Sequence, residues 1–211
     1  GVSFQNEIAI TMQPTEVLEF WFAGSEHDAD AAAARMDFWF SANADTDASI
    51  KLQFGEAIDL AAGGDYAEWA ATPSGCLALI LVLDQFPRNV SRGTPAAFTH
   101  DALAFGLTVI GQRMGFLQEL SPVEQMFFLM PYQHVEDSKR QLEGVALYQQ
   151  LAAGAPAEWQ QLLAACRDFA QLHCNLIQRF DRFPHRNPIL GRASTNSELE
   201  YLRDGESFGQ T

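Results

Sequence analysis

Lysine is almost absent from this chain. Of 13 Lys and Arg residues, only Lys51 and Lys139 are lysines, so 11 are arginines, and they face 27 Asp and Glu for a formal net charge of −14. A surface this acidic repels nucleic-acid phosphates and anionic lipid headgroups. The composition therefore argues against general nucleic-acid binding and against docking on anionic membranes.

Cysteines and long apolar runs are also scarce. Cys76, Cys166 and Cys174 lie in apolar helix-like stretches without the spacing of metal ligands, which indicates reduced core residues in a cytoplasmic protein. The most apolar run, residues 76–83, is too short to cross a membrane. The N-terminus shows no basic region followed by an apolar one, so we expect no signal peptide.

Several signatures of cofactor and nucleophile chemistry are missing. The sequence has no Gly-x-Gly-x-x-Gly, no Gly-Lys-Ser/Thr phosphate loop and no Gly-x-Ser-x-Gly elbow. We therefore expect no organic cofactor. A metal site built from Asp84, His134, Asp137 and His185 is conceivable, but no His-Glu-x-x-His spacing supports it, so we predict none.

Apolar residues recur at helical spacing almost everywhere, and no stretch alternates as a strand does. Helix starts are marked by Pro14-Thr15-Glu16 and by the capping signature Ser121-Pro122-Val123-Glu124. Predicted helices include residues 29–40, 98–114 and 156–180. The pattern indicates an all-α antiparallel array of about eight or nine helices joined by short Pro/Gly turns.

The array forms one domain in our interpretation. We assign residues 12–204 to it, beginning at the helix start that follows Met12. Residues 1–11 are interpreted as an N-terminal extension that is foreign to the native chain. Residues 205–211 are expected to fray, because chain ends rarely pack unless they are tied down.

One short sequence motif occurs twice in the chain. Residues 84–89 read Asp-Gln-Phe-Pro-Arg-Asn and residues 181–187 read Asp-Arg-Phe-Pro-His-Arg-Asn, each after a helix-like apolar run. Because proline lacks an N–H and disfavours helix in the preceding residue, both Phe-Pro pairs predict helix ends. Six of the 11 arginines lie in or beside these segments: Arg88, Arg92, Arg179, Arg182, Arg186 and Arg192. Two helix ends would thus bring polar groups to a common place.

These segments also carry a family resemblance. From about Val17 to Leu202, the chain resembles the bacterial domain of unknown function 924 family. The motifs that carry the resemblance are residues 83–89, 92–95, 130–137, 179–187 and 190–192. The resemblance implies a tetratricopeptide-like all-α fold in a bacterial protein, and it implies no activity.

The arginine-rich segments predict a pocket for a small anionic molecule, because guanidinium groups suit planar carboxylate and phosphate groups. His134 and His185 are the candidate acid/base residues. The predicted ligand-binding residues are Arg88, Asn89, Arg92, Tyr132, Arg186 and Asn187. The predicted supporting residues are Asp84, Glu136, Asp137, Asp181 and Arg182.

Each of these assignments has a structural alternative. The arginines would pair with nearby carboxylates, and Asp84 and Asp181 would bond backbone N–H groups of the following turn. Glu136 and Asp137 would favour the dipole of the helix that they open. Whether the chain is an enzyme stays open, and any reaction would be hydrolysis or acid/base chemistry on an anionic substrate. Two further hypotheses are a tetratricopeptide-like protein–protein adaptor and a purely structural polar network without a ligand.

Overall fold

Residues 11–211 are described by a computed structural model, and all regular elements among them are helical. The predicted extension therefore lies outside the described residues, apart from Thr11. The α-helices are α1 (Pro14–Phe22), α2 (Ala29–Phe40), α3 (Ala44–Ala62), α4 (Pro73–Ile80), α5 (Phe86–Val90), α6 (Asp101–Arg113), α7 (Pro122–Phe128), α8 (Pro131–His134), α9 (Ser138–Gly154), α10 (Gln160–Phe180), α11 (Arg186–Leu190) and α12 (Asn196–Leu202). A π-helical turn, Leu81–Gln85, joins α4 to α5.

The predicted all-α array is confirmed. α2 has the predicted bounds, and α7 begins with a complete capping box in which Ser121 and Glu124 bond each other's backbone N–H groups. The helix count exceeds the prediction because α5, α8 and α11 have five residues or fewer and lie beside the proline breaks.

The apolar helix α4 lies at the centre of the array. All residues from Gly75 to Leu83 are buried, and helices α1, α6 and α7 pack around α4. Aromatic rings fill the adjoining core, with Trp21, Phe86 and Phe127 as fully buried members. Burial of this apolar surface is the main contribution to folding.

Helices α9 and α10 form a hairpin along one side of the core. The long helix α10 buries residues that share one face, and His173 lies on that face between Ala170 and Cys174. A small second cluster of Leu176, Ile177 and Phe183 continues the core beyond the end of this face. The hairpin thus brings a histidine into the interior.

Close packing between α8 and α9 depends on a glycine. A Cβ at Gly144 would lie 2.8 Å from the Cβ of Tyr132. We expect Gly144→Ala to lower the free energy of unfolding by about 1–3 kcal/mol in urea titrations, because this contact forces the backbones apart. The loss should occur although alanine is the better helix former.

Gly106 in α6 provides the matched control. A Cβ there meets nothing within 4 Å, so Gly106→Ala should raise the free energy of unfolding by about 0.5–1 kcal/mol. Equal effects of the two substitutions would contradict the steric explanation.

None of the helices described for residues 11–211 combines the length and apolar character that crossing a bilayer requires.

Candidate functional site

The first Phe-Pro pair lies inside a continuous helical segment, which corrects the predicted helix end. Pro87 follows the π turn Leu81–Gln85, where the Phe86 N–H bonds the Leu81 carbonyl, and the chain stays helical to Val90. A proline in a regular α-helix loses one hydrogen bond and clashes with a carbonyl one turn earlier. The extra residue in the π turn opens that turn, so the helix passes the proline.

The π turn carries a buried carboxylate to a histidine. Asp84 is fully buried, and its Oδ1 lies 2.6 Å from Nδ1 of His134 at the end of α8. Gln85 Nε2 donates to the other oxygen of Asp84 at 2.9 Å. The predicted bonding of Asp84 to the following turn is therefore replaced by a bond to a distant helix.

This pair consists of a carboxylate and a neutral imidazole. Burial acts to raise the pKa of Asp84, but His134 and Arg88 together hold this pKa below its ordinary value. Burial and the charge of Arg88 lower the pKa of His134 against the opposing effect of Asp84. Nδ1–H of His134 therefore donates to Asp84, and the opposite ring nitrogen, Nε2, carries the lone pair.

Arg88 is held in place by carboxylates. Its two terminal nitrogens donate to the Asp101 carboxylate at 2.7 and 3.0 Å, and Nη1 also donates to the Asp84 carbonyl at 2.8 Å. Asp101 is the first residue of α6. This bidentate pair matches the structural interpretation of Arg88 more closely than a free ligand-binding guanidinium does.

Arg186, the first residue of α11, is bound more loosely. Its guanidinium lies between the rings of Phe98 and Phe183, at 4.4 and 4.6 Å from their centroids. Nη2 donates to the His134 carbonyl at 3.1 Å, and Nη1 is 3.9 Å from Asp101. Nε is buried and has no hydrogen-bond partner among the described residues. Burial, then the charge of Arg88, lowers the pKa of Arg186 to about 10, so this group remains a cation at neutral pH.

Two further histidines line the same region. Burial lowers the pKa of His173 to about 3, against a hydrogen bond from its Nδ1 to the Phe169 carbonyl. Burial and the charge of Arg186 lower the pKa of His185 to about 3. Nδ1 of His185 is buried without a partner among the described residues. Cationic neighbours thus create a positive potential at both rings.

These groups surround a cavity of about 500 Å³. Its polar wall includes Gln85, Arg88, Gln133, His134, His173, His185 and Arg186, and Asp37, Ser41, Asn89, Arg92, Glu206 and Gln210 complete it. Its aromatic wall comprises Trp39, Phe40, Phe98, Phe169 and Phe208. Within residues 11–211, no group of three or more His, Cys, Asp or Glu side chains is arranged to hold a metal ion.

The C-terminal residues form one side of the cavity. Gln210 is 3% exposed; its Nε2 donates to the Arg88 carbonyl and its Oε1 accepts from the Gly93 N–H. The Gly209 carbonyl accepts from Arg92 Nη1 at 2.7 Å. These bonds tie residues 209 and 210 to α5 and the segment that follows it, and the fraying of residues 205–211 stays a prediction.

Phe208 lies against the histidines. Its ring stacks on His173 at 4.1 Å between centroids and lies 5.2 Å from the ring of His185. This aromatic contact packs Phe208 against two of the imidazoles that line the cavity.

Asn89 and Arg92 line the cavity, yet both are paired. Arg92 Nε and Nη2 donate to the Asp47 carboxylate at 2.7 and 2.8 Å, and Asn89 Nδ2 donates to the same carboxylate at 2.9 Å. Asp47 lies in the first turn of α3. These two predicted ligand residues thus connect α3 to α5 and to the segment after it.

Residues of the second copy of the repeated motif, residues 181–187, form a separate network. Arg182 makes a bidentate pair with Glu198, and the buried Asn187 donates to the same carboxylate at 3.0 Å. Asn187 also accepts from Arg192. The network connects α11 to α12 and lies outside the cavity lining.

The predicted acidic supports act at helix ends. Glu136 accepts from both terminal nitrogens of Arg192 and from the Phe183 N–H. Asp137 is the N-cap of α9, and Asp181 is an exposed C-cap of α10 with φ = 60°. Asp137 and Asp181 therefore contact none of the cavity arginines.

Tyr132 lies behind the cavity wall. It is 5% exposed, and its hydroxyl donates to Gln112 Oε1 at 2.9 Å. The contact with Gly144 fixes its position between α8 and α9. Its neighbour Gln133 lines the cavity instead.

Sequence reasoning missed several residues of the site, among them Phe98, Asp101, His173 and Phe208. His173 had one usable signal, since it shares the apolar face of α10 and a buried histidine there needs a partner. The others come from segments distant in the chain that carry no motif.

The geometry defines an all-α protein with a buried arginine–histidine cavity. The chain belongs to the family described as bacterial protein of unknown function (DUF924), whose model matches residues 17–206. A similar solved structure is that of a protein of unknown function, ATU0120, from Agrobacterium tumefaciens. It is 32% identical with a TM-score of 0.74, and the match covers 91% of this chain and 97% of that one. No curated protein matches the chain.

Proposed function

We propose that this protein binds a small anionic molecule in the central cavity, with Arg186 as its main contact. The observation that carries this proposal is the guanidinium of Arg186, which lines the cavity but makes only one hydrogen bond to the described residues, at 3.1 Å to the His134 carbonyl. Its nearest carboxylate, Asp101, is 3.9 Å away. A charged group that is largely removed from water is stabilised by an opposite charge, and an anion in the cavity would supply one.

The potential at the histidines supports an anion as well. The charges that lower the pKa of His185 are those of Arg186 and Arg88, beside burial. A bound carboxylate next to these groups would offset that potential. Phe98 and Phe208 would cover the apolar part of the same molecule.

Carboxylates near the cavity favour a monoanion. Asp101 lies 3.9 Å from Arg186, and Asp37 and Glu206 also line the cavity. Because these carboxylates repel a second negative charge, one carboxylate suits Arg186 better than a doubly charged phosphate does. We extend the proposal to a cytoplasmic location, in keeping with the three free, buried cysteines.

Titration calorimetry with benzoate, 4-hydroxybenzoate and inorganic phosphate tests this proposal. We expect the two carboxylates to bind, and Arg186→Gln to weaken binding about 10- to 100-fold, as loss of a charged hydrogen bond does. The control is Arg167→Gln, an exposed arginine of α10, which should leave binding unchanged. Absence of carboxylate binding, or equal affinity in the two variants, would contradict the proposal.

The two alternatives make different predictions. A peptide adaptor requires an open groove, whereas the side chains of Arg88, His134 and Arg186 are only 8–13% exposed. A purely structural network agrees with the bidentate pairing of Arg88 and Arg92 but does not explain why the cavity-lining Arg186 has no close carboxylate. For that reason we rank the binding function first.

A further inference from the structure

We propose that Asp84 and His134 form a general-base pair that activates water for hydrolysis of a small ester carrying a carboxylate on an aromatic ring. This inference rests on the proposed anion-binding function and adds a reaction to it. It assigns His134 as the catalytic residue and Asp84 as the positioning residue.

The pairing fixes one tautomer of the imidazole. Asp84 Oδ1 lies 2.6 Å from Nδ1 of His134. Nε2 is therefore the ring nitrogen that is available to the cavity, which His134 lines. Nε2 has no hydrogen bond to any described residue. A neutral imidazole with a free lone pair on the cavity side is the form that a general base requires.

The carboxylate is held in its ionised form by its neighbours. Arg88 Nη1 lies 3.6 Å from Asp84 Oδ1, and Gln85 Nε2 donates to Oδ2. A buried carboxylate with these donors stabilises the imidazolium that forms when His134 takes a proton. In this arrangement, Asp84 itself exchanges no proton.

The backbone supplies an independent observation. Asp84 and Gln85 lie on the π-helical turn of the described chain, and such turns cost stability and occur frequently at functional sites. In a regular helix, residue 84 would be rotated relative to α5 and to Arg88. The π turn therefore sets the carboxylate toward His134 while Pro87 remains in the helix.

The walls of the cavity define the substrate class. Arg186 would bind one carboxylate, and the lining rings of Phe40 and Phe169, which are 46% and 49% exposed, provide surfaces for an aromatic group. The proposed nucleophile is water, and the nearby Cys166 does not compete with it, since burial raises the pKa of that thiol to about 12. A thiol with so high a pKa is not an attacking thiolate.

The step balances in atoms and protons. His134 Nε2 takes a proton from water while the water oxygen bonds the ester carbonyl carbon, which gives a tetrahedral oxyanion. The bond from that carbon to the phenol oxygen then breaks, and His134 returns its proton to the leaving phenolate. The products are a carboxylic acid and a phenol that keeps its ring carboxylate.

The test uses 4-acetoxybenzoate, with phenyl acetate as the matched ester that lacks the carboxylate. We expect the wild-type protein to release 4-hydroxybenzoate faster than buffer does and to prefer 4-acetoxybenzoate over phenyl acetate. His134→Gln should lower kcat at least 100-fold with little change in KM. Asp84→Asn, an isosteric change, should also lower kcat and should shift the pH profile, which a merely structural role would not do.

Binding separates the two proposals. Calorimetry with 4-hydroxybenzoate should show that His134→Gln still binds, which also reports that the variant is folded. If the wild-type protein binds 4-hydroxybenzoate but does not hydrolyse the ester, or if His134→Gln and Asp84→Asn hydrolyse it as fast as the wild type, the general-base proposal is wrong and the binding function stands. If the wild-type protein does not bind 4-hydroxybenzoate, both proposals are wrong.

Discussion

Arg88→Ala should lower the free energy of unfolding by about 3–5 kcal/mol, because it leaves buried carboxylates without their cation. Arg88 bonds both oxygens of Asp101 and the Asp84 carbonyl, and its guanidinium lies 3.6 Å from the fully buried Asp84 carboxylate. Its side chain is only 13% exposed, so solvent screens these contacts weakly. Urea unfolding followed by circular dichroism measures the loss.

Two further variants sharpen this experiment. Arg167→Ala removes an exposed pair with Asp168 and should cost less than about 1 kcal/mol. Arg88→Lys keeps the charge but loses the bidentate geometry, so its loss in the free energy of unfolding should lie between those of Arg88→Ala and Arg167→Ala. A loss for Arg88→Ala no larger than that for Arg167→Ala would show that this pairing contributes little.

Stability should fall steeply as the pH decreases below about 6.5. Burial lowers the pKa of both His173 and His185 from 6.5 to about 3, so the unfolded chain binds protons that the folded chain does not. The contribution of these two neutral histidines to the free energy of unfolding is fully present above pH 6.5 and is lost as the pH falls toward 3. Each group contributes about 1.4 kcal/mol per pH unit, or roughly 4 kcal/mol for both between pH 7 and pH 5.

The measurement is the free energy of unfolding at several pH values between 7 and 5. A His173→Gln/His185→Gln double variant should lose the roughly 4 kcal/mol that these two groups contribute in this window, while His134, whose pKa is also lowered by burial, keeps its part of the slope. His27→Gln, at an exposed position, serves as the control and should keep the wild-type slope. An unchanged slope in the double variant would contradict the assignment of these two histidines as the titrating groups.

The candidate site could be predicted only in part. Arg88, His134, His185 and Arg186 come together at one cavity, as expected for polar residues that follow proline breaks. Asn187 and Arg182 have the same sequence context but contact Glu198 instead. Nothing local distinguishes the two groups, because the direction of a side chain beyond a break depends on how the helices pack.

Sequence alone determined the helical class of this protein and many of its helix boundaries. Apolar spacing and capping residues act within one or two turns, so Ser121 and Glu124 specify the start of α7 wherever that helix lies. The family resemblance, too, rests on contiguous motifs that the chain carries without folding.

Tertiary structure alone decided which contacts the two copies of the repeated motif make. The π turn before Pro87, the bond from Asp84 to His134 and the contact of Phe208 with His173 join residues far apart in the chain. Such contacts follow from the packing of whole helices around buried α4, and a repeat of six or seven residues carries no information about that packing. The first copy of the motif therefore lines the cavity through Arg88. The second copy is divided: His185 and Arg186 line the same cavity, whereas Asn187 belongs to the separate network with Glu198.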